Sequence, residues 1–159
     1  MTDRHSTVLL VVDVQETFAP PASLVACLTG LARRYPSVAT LELHDEDKVP
    51  FAAQIGWTPR RADRCLVPVN QVFVKHGYLP PEALISHLQA LAPARVLVGG
   101  IQADTCVMAA GFRLFDAGLH PTLLGFAIQG SSVDRDAAIA RRLWAHHFHA
   151  VIDDPADLP

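Results

Sequence analysis

Three residues of different chemistry stand at the ends of three apolar runs. Asp13 closes Val8-Leu9-Leu10-Val11-Val12 and Lys75 closes Val72-Phe73-Val74. Cys106 sits where Arg95-Val96-Leu97-Val98-Gly99-Gly100-Ile101 gives way to a helical pattern. Each run reads as a buried strand, so an acid, an amine and a thiol emerge at strand carboxyl ends. A thiol in the first turn of a helix meets unpaired backbone N–H groups and the positive end of the helix dipole. Both favour thiolate over thiol and offer donors to an oxyanion. Singly, each residue has a plainer reading: Asp13 caps a turn, Lys75 reaches solvent, Cys106 fills core. Their recurrence at three corresponding strand ends makes the catalytic reading the stronger one.

The elements that must position them alternate. Strands are expected at 7–12, 37–43, 71–75, 95–99, 121–125 and 148–152, with helices at 21–34, 81–91, 105–117 and 133–146. Pro80-Pro81 precedes one helix, Pro93 follows it, and Gly118 stops the helix that begins at Cys106. Such alternation implies an α/β fold: a three-layer α/β/α sandwich around a parallel sheet of about six strands, Rossmann-like, with right-handed crossovers. Ligands of such sheets bind outside the strand carboxyl ends, where the strand order reverses. The stretch 44–64 reads as irregular and is the only connection long enough to wall a pocket. Gly99-Gly100 matches neither nucleotide-binding fingerprint.

The 159 residues, half of them hydrophobic, suit a single domain over 1–159. A net charge of −3 with scattered Lys and Arg leaves no basic stripe, so the expected partner is a small molecule and not nucleic acid. No run is long enough to span a bilayer, and the start has no signal-peptide pattern, so no membrane association is expected. Three cysteines without framework spacing argue for reduced thiols in the cytoplasm. Cys27 reads as a helix core residue and Cys65 as a strand-edge residue, neither with a role.

Three segments around the charged residues and the thiol resemble the isochorismatase-like cysteine hydrolase superfamily, which includes nicotinamidases and N-carbamoyl amide hydrolases. Val12-Asp13-Val14-Gln15-Glu16-Thr17-Phe18 is similar to its Asp-x-Gln-x-x-Phe element and Val74-Lys75-His76-Gly77-Tyr78 to its lysine element. Gly100-Ile101-Gln102-Ala103-Asp104-Thr105-Cys106-Val107 is similar to its nucleophile element. The resemblance implies amide or acyl hydrolysis through a thioester on Cys106. Asp13 would accept the Cys106 proton and return it to the leaving amine, while Lys75 favours the thiolate. The amides of Gln102 and Cys106 would form the oxyanion hole, with a cis peptide between Ile101 and Gln102. Ala103 stands where the family usually has Thr, and Tyr78-Leu79-Pro80-Pro81 replaces a small residue and Phe. The chain also looks short for the family.

The nicotinamidase branch holds a divalent metal with an Asp-x-His pair and a second His, and the aligned residues here are Glu42, His44 and Pro50. The expectation is therefore that no cofactor is required, with Glu42 and His44 as a two-ligand site for weakly bound Zn²⁺ or Mn²⁺. His146, His147 and His149 straddle a helix end and read as solvent or capping residues. Phe18, Trp57 and Tyr78 are the expected substrate-binding wall, suited to a flat or small apolar compound. The expected function is hydrolysis of a small amide, imide, ureido or related acyl compound, in a dimer or tetramer as relatives commonly are. The alternatives are vinyl-ether hydrolysis of the isochorismate type, whose enzymes lack the nucleophilic Cys, and a binding or scaffold protein that kept the fold.

Overall fold

The computed structural model describes residues 7–159. Six strands form one sheet: β1 (Thr7–Val12), β2 (Ser37–Glu42), β3 (Gln71–Lys75), β4 (Arg95–Ile101), β5 (Pro121–Gln129) and β6 (Val151–Ile152). Their order is β3-β2-β1-β4-β5-β6 and every pairing is parallel. Parallel neighbours require crossovers, which are supplied by α1 (Ala22–Arg34), α3 (Glu82–Leu91), α4 (Met108–Asp116) and α5 (Ala138–Phe148), while α2 (Phe51–Ile55) is a single short turn. The order reverses at β1, which has β2 on one side and β4 on the other. A crevice therefore opens at the carboxyl ends of these strands.

Burial on both faces explains why β1 and β4 read as unbroken apolar runs and not as alternating ones. Val8, Leu10 and Val12 point to one face, packing with Val98, Leu114 and Trp144. Leu9 and Val11 point to the other, with Leu28, Leu97 and Leu124. Each such leucine contributes roughly 1.5–3 kcal/mol by leaving water.

Several elements differ from those read in the sequence: β4 runs on to Ile101, and the last helix continues to Phe148, so that β6 is confined to Val151–Ile152. The helix expected from 133 begins at Ala138, because the Asp134 carboxylate accepts from the amides of Ile139 and Ala140 and holds 133–137 as a turn. The 44–64 stretch contains α2, which the sequence reading left irregular. β5 runs on to Gln129, its register against β4 shifting between Val98 and Gly100. The helix expected from 105 opens instead as a π-helical turn, Ala103–Val107, before α4 proper.

Gly100 makes the close approach of β4 to β1 possible. Its φ is +124°, and a Cβ there would collide with the Val12 carbonyl oxygen and come 2.8 Å from the Val12 nitrogen. Asp13 follows Val12 directly, and Gln102 lies two residues beyond Gly100. Gly100→Ala should cost about 3–5 kcal/mol through backbone strain and steric overlap. Urea denaturation checks this, and an unshifted midpoint would contradict the packing.

Candidate active site

Asp13 leaves β1 with a left-handed φ of 51°, a conformation that aspartate tolerates better than most residues. The turn is held from β2: Thr40 Oγ1 accepts from the Asp13 amide at 3.2 Å and donates to Asp13 Oδ1 at 2.7 Å. Asp13 Oδ2 lies 2.7 Å from Lys75 Nζ, an ion pair somewhat off the ideal hydrogen-bond line. Both side chains are buried, and Lys75 Nζ also donates to the Tyr78 carbonyl at 3.1 Å. Burial alone would pull the Lys75 pKa down, but the surrounding Asp13, Cys106 and Glu42 drive it above the ordinary lysine value. The ammonium is fixed.

Cys106 occupies the π-helical turn, where the Gln102 carbonyl accepts from the amides of both Thr105 and Val107. Asp104 ties this turn to the loop after β5, accepting from the Ser131 amide and hydroxyl at 2.7 and 2.6 Å. The Ile101–Gln102 peptide is cis. Among the described residues, no protein group accepts from the Gln102 amide, which leaves that donor free at the pocket floor. Burial and then the Asp13 carboxylate push the Cys106 thiol above its usual range, against the opposing pull of Lys75. The helix-terminus argument favoured a thiolate. In the structure burial, and after it the Asp13 carboxylate, works against that effect.

The second carboxylate is Glu42. Its side chain is 2% exposed, and Cys106 Sγ donates to its Oε2 at 3.9 Å, within range for sulfur. Glu42 is the β2 partner of Lys75, which brings Asp13, Glu42 and Cys106 ligand atoms within 4.8 Å of one another. Gln15 clamps its backbone: Gln15 Nε2 donates to the Glu42 carbonyl and Gln15 Oε1 accepts from the Glu42 amide, both at 2.8 Å. Among the described residues Glu42 Oε1 has no hydrogen-bond partner. Burial, relieved in part by Lys75 and reinforced by Asp13, pushes the carboxyl up to about 7.

Gln15 is anchored in turn by Asp63, which also accepts from the Thr17 amide and hydroxyl at 2.8 and 2.6 Å. Burial works against the Asp63 charge, but these donors outweigh it and hold the carboxyl down at about 2. The sequence reading gave no role to Thr40, Gln15 or Asp63. Gln15 lay inside a matched motif. Thr40 and Asp63 carried no spacing signal, because their partners are distant in the chain.

The thiol lies at the floor of a cavity of about 290 Å³. Phe18, Trp57 and Tyr78 line it, as do Phe51 and Ile55 from α2, which the sequence reading passed over. Phe51 is the hub of the wall, meeting Trp57 edge-on at 6.2 Å and Tyr78 at 5.7 Å between ring centroids. Glu42, Gln102, Thr105 and Cys106 supply the polar part. A cavity of about 480 Å³ at the opposite strand ends, beside Arg95 and His120, includes none of these groups.

Metal binding was expected, if at all, from Glu42 and His44. The Glu42 carboxylate is turned toward Cys106, and His44 Nε2 faces Glu46 Oε2 at 3.2 Å. The described residues bring no third ligand to this pair. Among the described residues the one three-ligand group, Asp13, Glu42 and Cys106, already holds the Lys75 ammonium, so a divalent ion would have to compete with a buried cation. Among the described residues His146, His147 and His149 form no ligand group, and all three cysteines are free.

No family model matches the chain, and no curated protein matches it in sequence. Solved structures do match. A pyrazinamidase of Pyrococcus horikoshii, solved in complex with zinc, superposes with a TM-score of 0.81 at 21% identity, over 94% of this chain and 99% of that one. The chain has the isochorismatase-like hydrolase fold. An N-carbamoylsarcosine amidase from Thermoplasma acidophilum follows at TM-score 0.77 and 18% identity, covering 96% of this chain and 98% of that one. An isochorismatase family protein from Desulfovibrio vulgaris superposes at TM-score 0.72 and 15% identity, covering 92% and 93%. No helix among the described residues is long and apolar enough to cross a membrane.

Proposed function

We propose that the chain is a cysteine-dependent hydrolase of small amide, imide, ureido or related acyl compounds, working through a thioester on Cys106. The observation that carries this reading is a buried thiol at the floor of a small aromatic pocket, beside a buried Lys75–Asp13 pair. The shared fold supports it, since neighbours with that fold are named as amidases. Attack by Cys106 sulfur on a carbonyl carbon moves negative charge onto the carbonyl oxygen, where the free Gln102 amide and the Cys106 amide are the donors. Lys75 offsets the charge of the thiolate as it forms. The C–N bond then breaks as the carbonyl reforms, and the amine leaves carrying the Cys106 proton; water adds to the thioester carbon, the C–S bond breaks, the acid is released and a proton from water returns to the Cys106 sulfur.

The cavity suits a flat or compact acyl group held between Phe51, Trp57 and Tyr78. Vinyl-ether chemistry of the isochorismate type is the weaker reading, because it leaves a pocket-lining thiol without a task. Three free cysteines suit a reducing, cytoplasmic setting. The test is a panel of primary amides, imides and ureido compounds, with ammonia or amine release measured before and after dialysis against a chelator. Turnover of at least one class, unchanged by the chelator, is expected. No release from any of them would contradict the hydrolase reading, and release lost on chelation would contradict the metal-free one.

A further inference from the structure

We propose that Glu42 selects the substrate: its free carboxyl oxygen accepts a hydrogen bond from an N–H on the acyl side of the scissile carbonyl. The pocket then takes amides whose acyl group carries a neighbouring amino nitrogen and rejects those that carry a carboxylate there. This selectivity rests on the hydrolase reading and leaves Asp13, Lys75 and Cys106 in the roles that the family resemblance implies.

Glu42 ends β2, is 2% exposed, and lines the cavity that holds the thiol. Its Oε2 accepts from Cys106 Sγ at 3.9 Å, and among the described residues its Oε1 has no partner. Asp13 Oδ2 is likewise without a hydrogen-bond partner, but it lies 2.7 Å from the Lys75 ammonium, and Asp13 is not part of the cavity wall. The unpartnered carboxyl oxygen that a bound substrate meets is therefore that of Glu42. Leaving it without a donor carries a desolvation cost, which a ligand N–H would offset. Gln15 grips both backbone groups of Glu42 and neither carboxyl oxygen, so the side chain is held without being satisfied.

Sulfur attacking a carbonyl carbon, with the carbonyl oxygen on the Gln102 and Cys106 amides, leaves two substituents to place. The leaving nitrogen falls to Asp13, which the resemblance makes the proton carrier, and the acyl substituent is left for Glu42. Charge favours a donor there over an anion. Asp13 from β1, Lys75 from β3 and Cys106 from the π-helical turn face Glu42, so two carboxyls share one ammonium. That ammonium is engaged by Asp13 and the Tyr78 carbonyl. Among the described residues no Lys, Arg or His lines the cavity, and Phe51, Trp57 and Tyr78 add aromatic surface without positive charge. A carboxylate on the acyl group would be buried against Glu42 with no counter-ion, whereas an amino group would make a charge-assisted bond to it. Burial raises the Glu42 carboxyl, and an N–H donor works the other way, toward the carboxylate that accepts best.

The experiment compares kcat/KM for ammonia release from three amides that differ only at the α-carbon: 2-phenylglycinamide with an amino group, phenylacetamide with hydrogen, and 2-phenylmalonamate with a carboxylate. The unsubstituted chain should prefer them in that order. The amino compound should exceed phenylacetamide on the order of 10–100-fold, the worth of a hydrogen bond to a charged group. In Glu42→Gln most of that preference should vanish, and the carboxylate compound should gain relative to phenylacetamide. Ratios between substrates within one variant cancel any common effect on the nucleophile or the fold. Glu42→Asp keeps the charge but withdraws it by one methylene; it should still reject the carboxylate while losing part of the amino preference, and it serves if Glu42→Gln folds poorly. Equal values for the three amides in the unsubstituted chain, or a preference unchanged in Glu42→Gln, would overturn the selectivity and leave the hydrolase reading standing. No ammonia from any of the three and no acyl adduct on Cys106 would overturn the hydrolase reading, and the selectivity with it.

Discussion

Lys75→Met should lose about 3–5 kcal/mol of stability, along with catalysis, because it strands two buried carboxylates without their cation. Lys75 is 3% exposed and Asp13 is 0% exposed, so solvent cannot take the place of the lost ammonium. The loss should depend on pH with a definite sign. The Glu42 carboxyl, already raised to about 7 in the fold, rises further without Lys75, so the folded variant binds protons that the unfolded chain has released. Its contribution is favourable near and below the ordinary glutamate range and is lost as pH rises through the folded value. Urea denaturation at pH 5 and pH 8 should therefore show the variant much closer to the unsubstituted chain at pH 5. Equal destabilisation at both values would mean that Lys75 does not serve these acids.

Cys106→Ser should keep the fold, since the side chain is nearly the same size and sits in the turn before α4, and should abolish turnover. A hydroxyl is a far weaker nucleophile than a thiol at neutral pH, and removing the nucleophile of a comparable hydrolase costs on the order of 10⁶-fold. The substitution leaves Lys75, Asp13 and Glu42 in place, so residual hydrolysis at the unsubstituted rate would assign the chemistry elsewhere. Thermal denaturation run in parallel separates loss of the nucleophile from loss of the fold.

The sheet was legible in the sequence because buried parallel strands leave continuous apolar runs, and Asp13, Lys75 and Cys106 interrupt or follow those runs. The turn at Cys106 was less so: a π-helical turn and an α-helical first turn share the same small and apolar residues, and wider-spaced bonds such as that from Val107 to Gln102 separate them. α2 was hidden because five residues between Pro50 and Gly56 are too few to show a period. Glu42 was legible only in part. Spacing paired it with His44 two residues on, whereas the β2–β3 register sets it beside Lys75, a contact no local pattern encodes.

The central claim, an acyl group carried on Cys106, is tested most directly by intact-mass spectrometry of the chain quenched in acid during turnover of an activated ester. The expected result is a mass increase equal to the acyl group, mapped by proteolysis to the peptide containing Cys106, removed by hydroxylamine and absent from Cys106→Ser. Product release with no adduct on Cys106, or an adduct confined to Cys27 or Cys65, would contradict it.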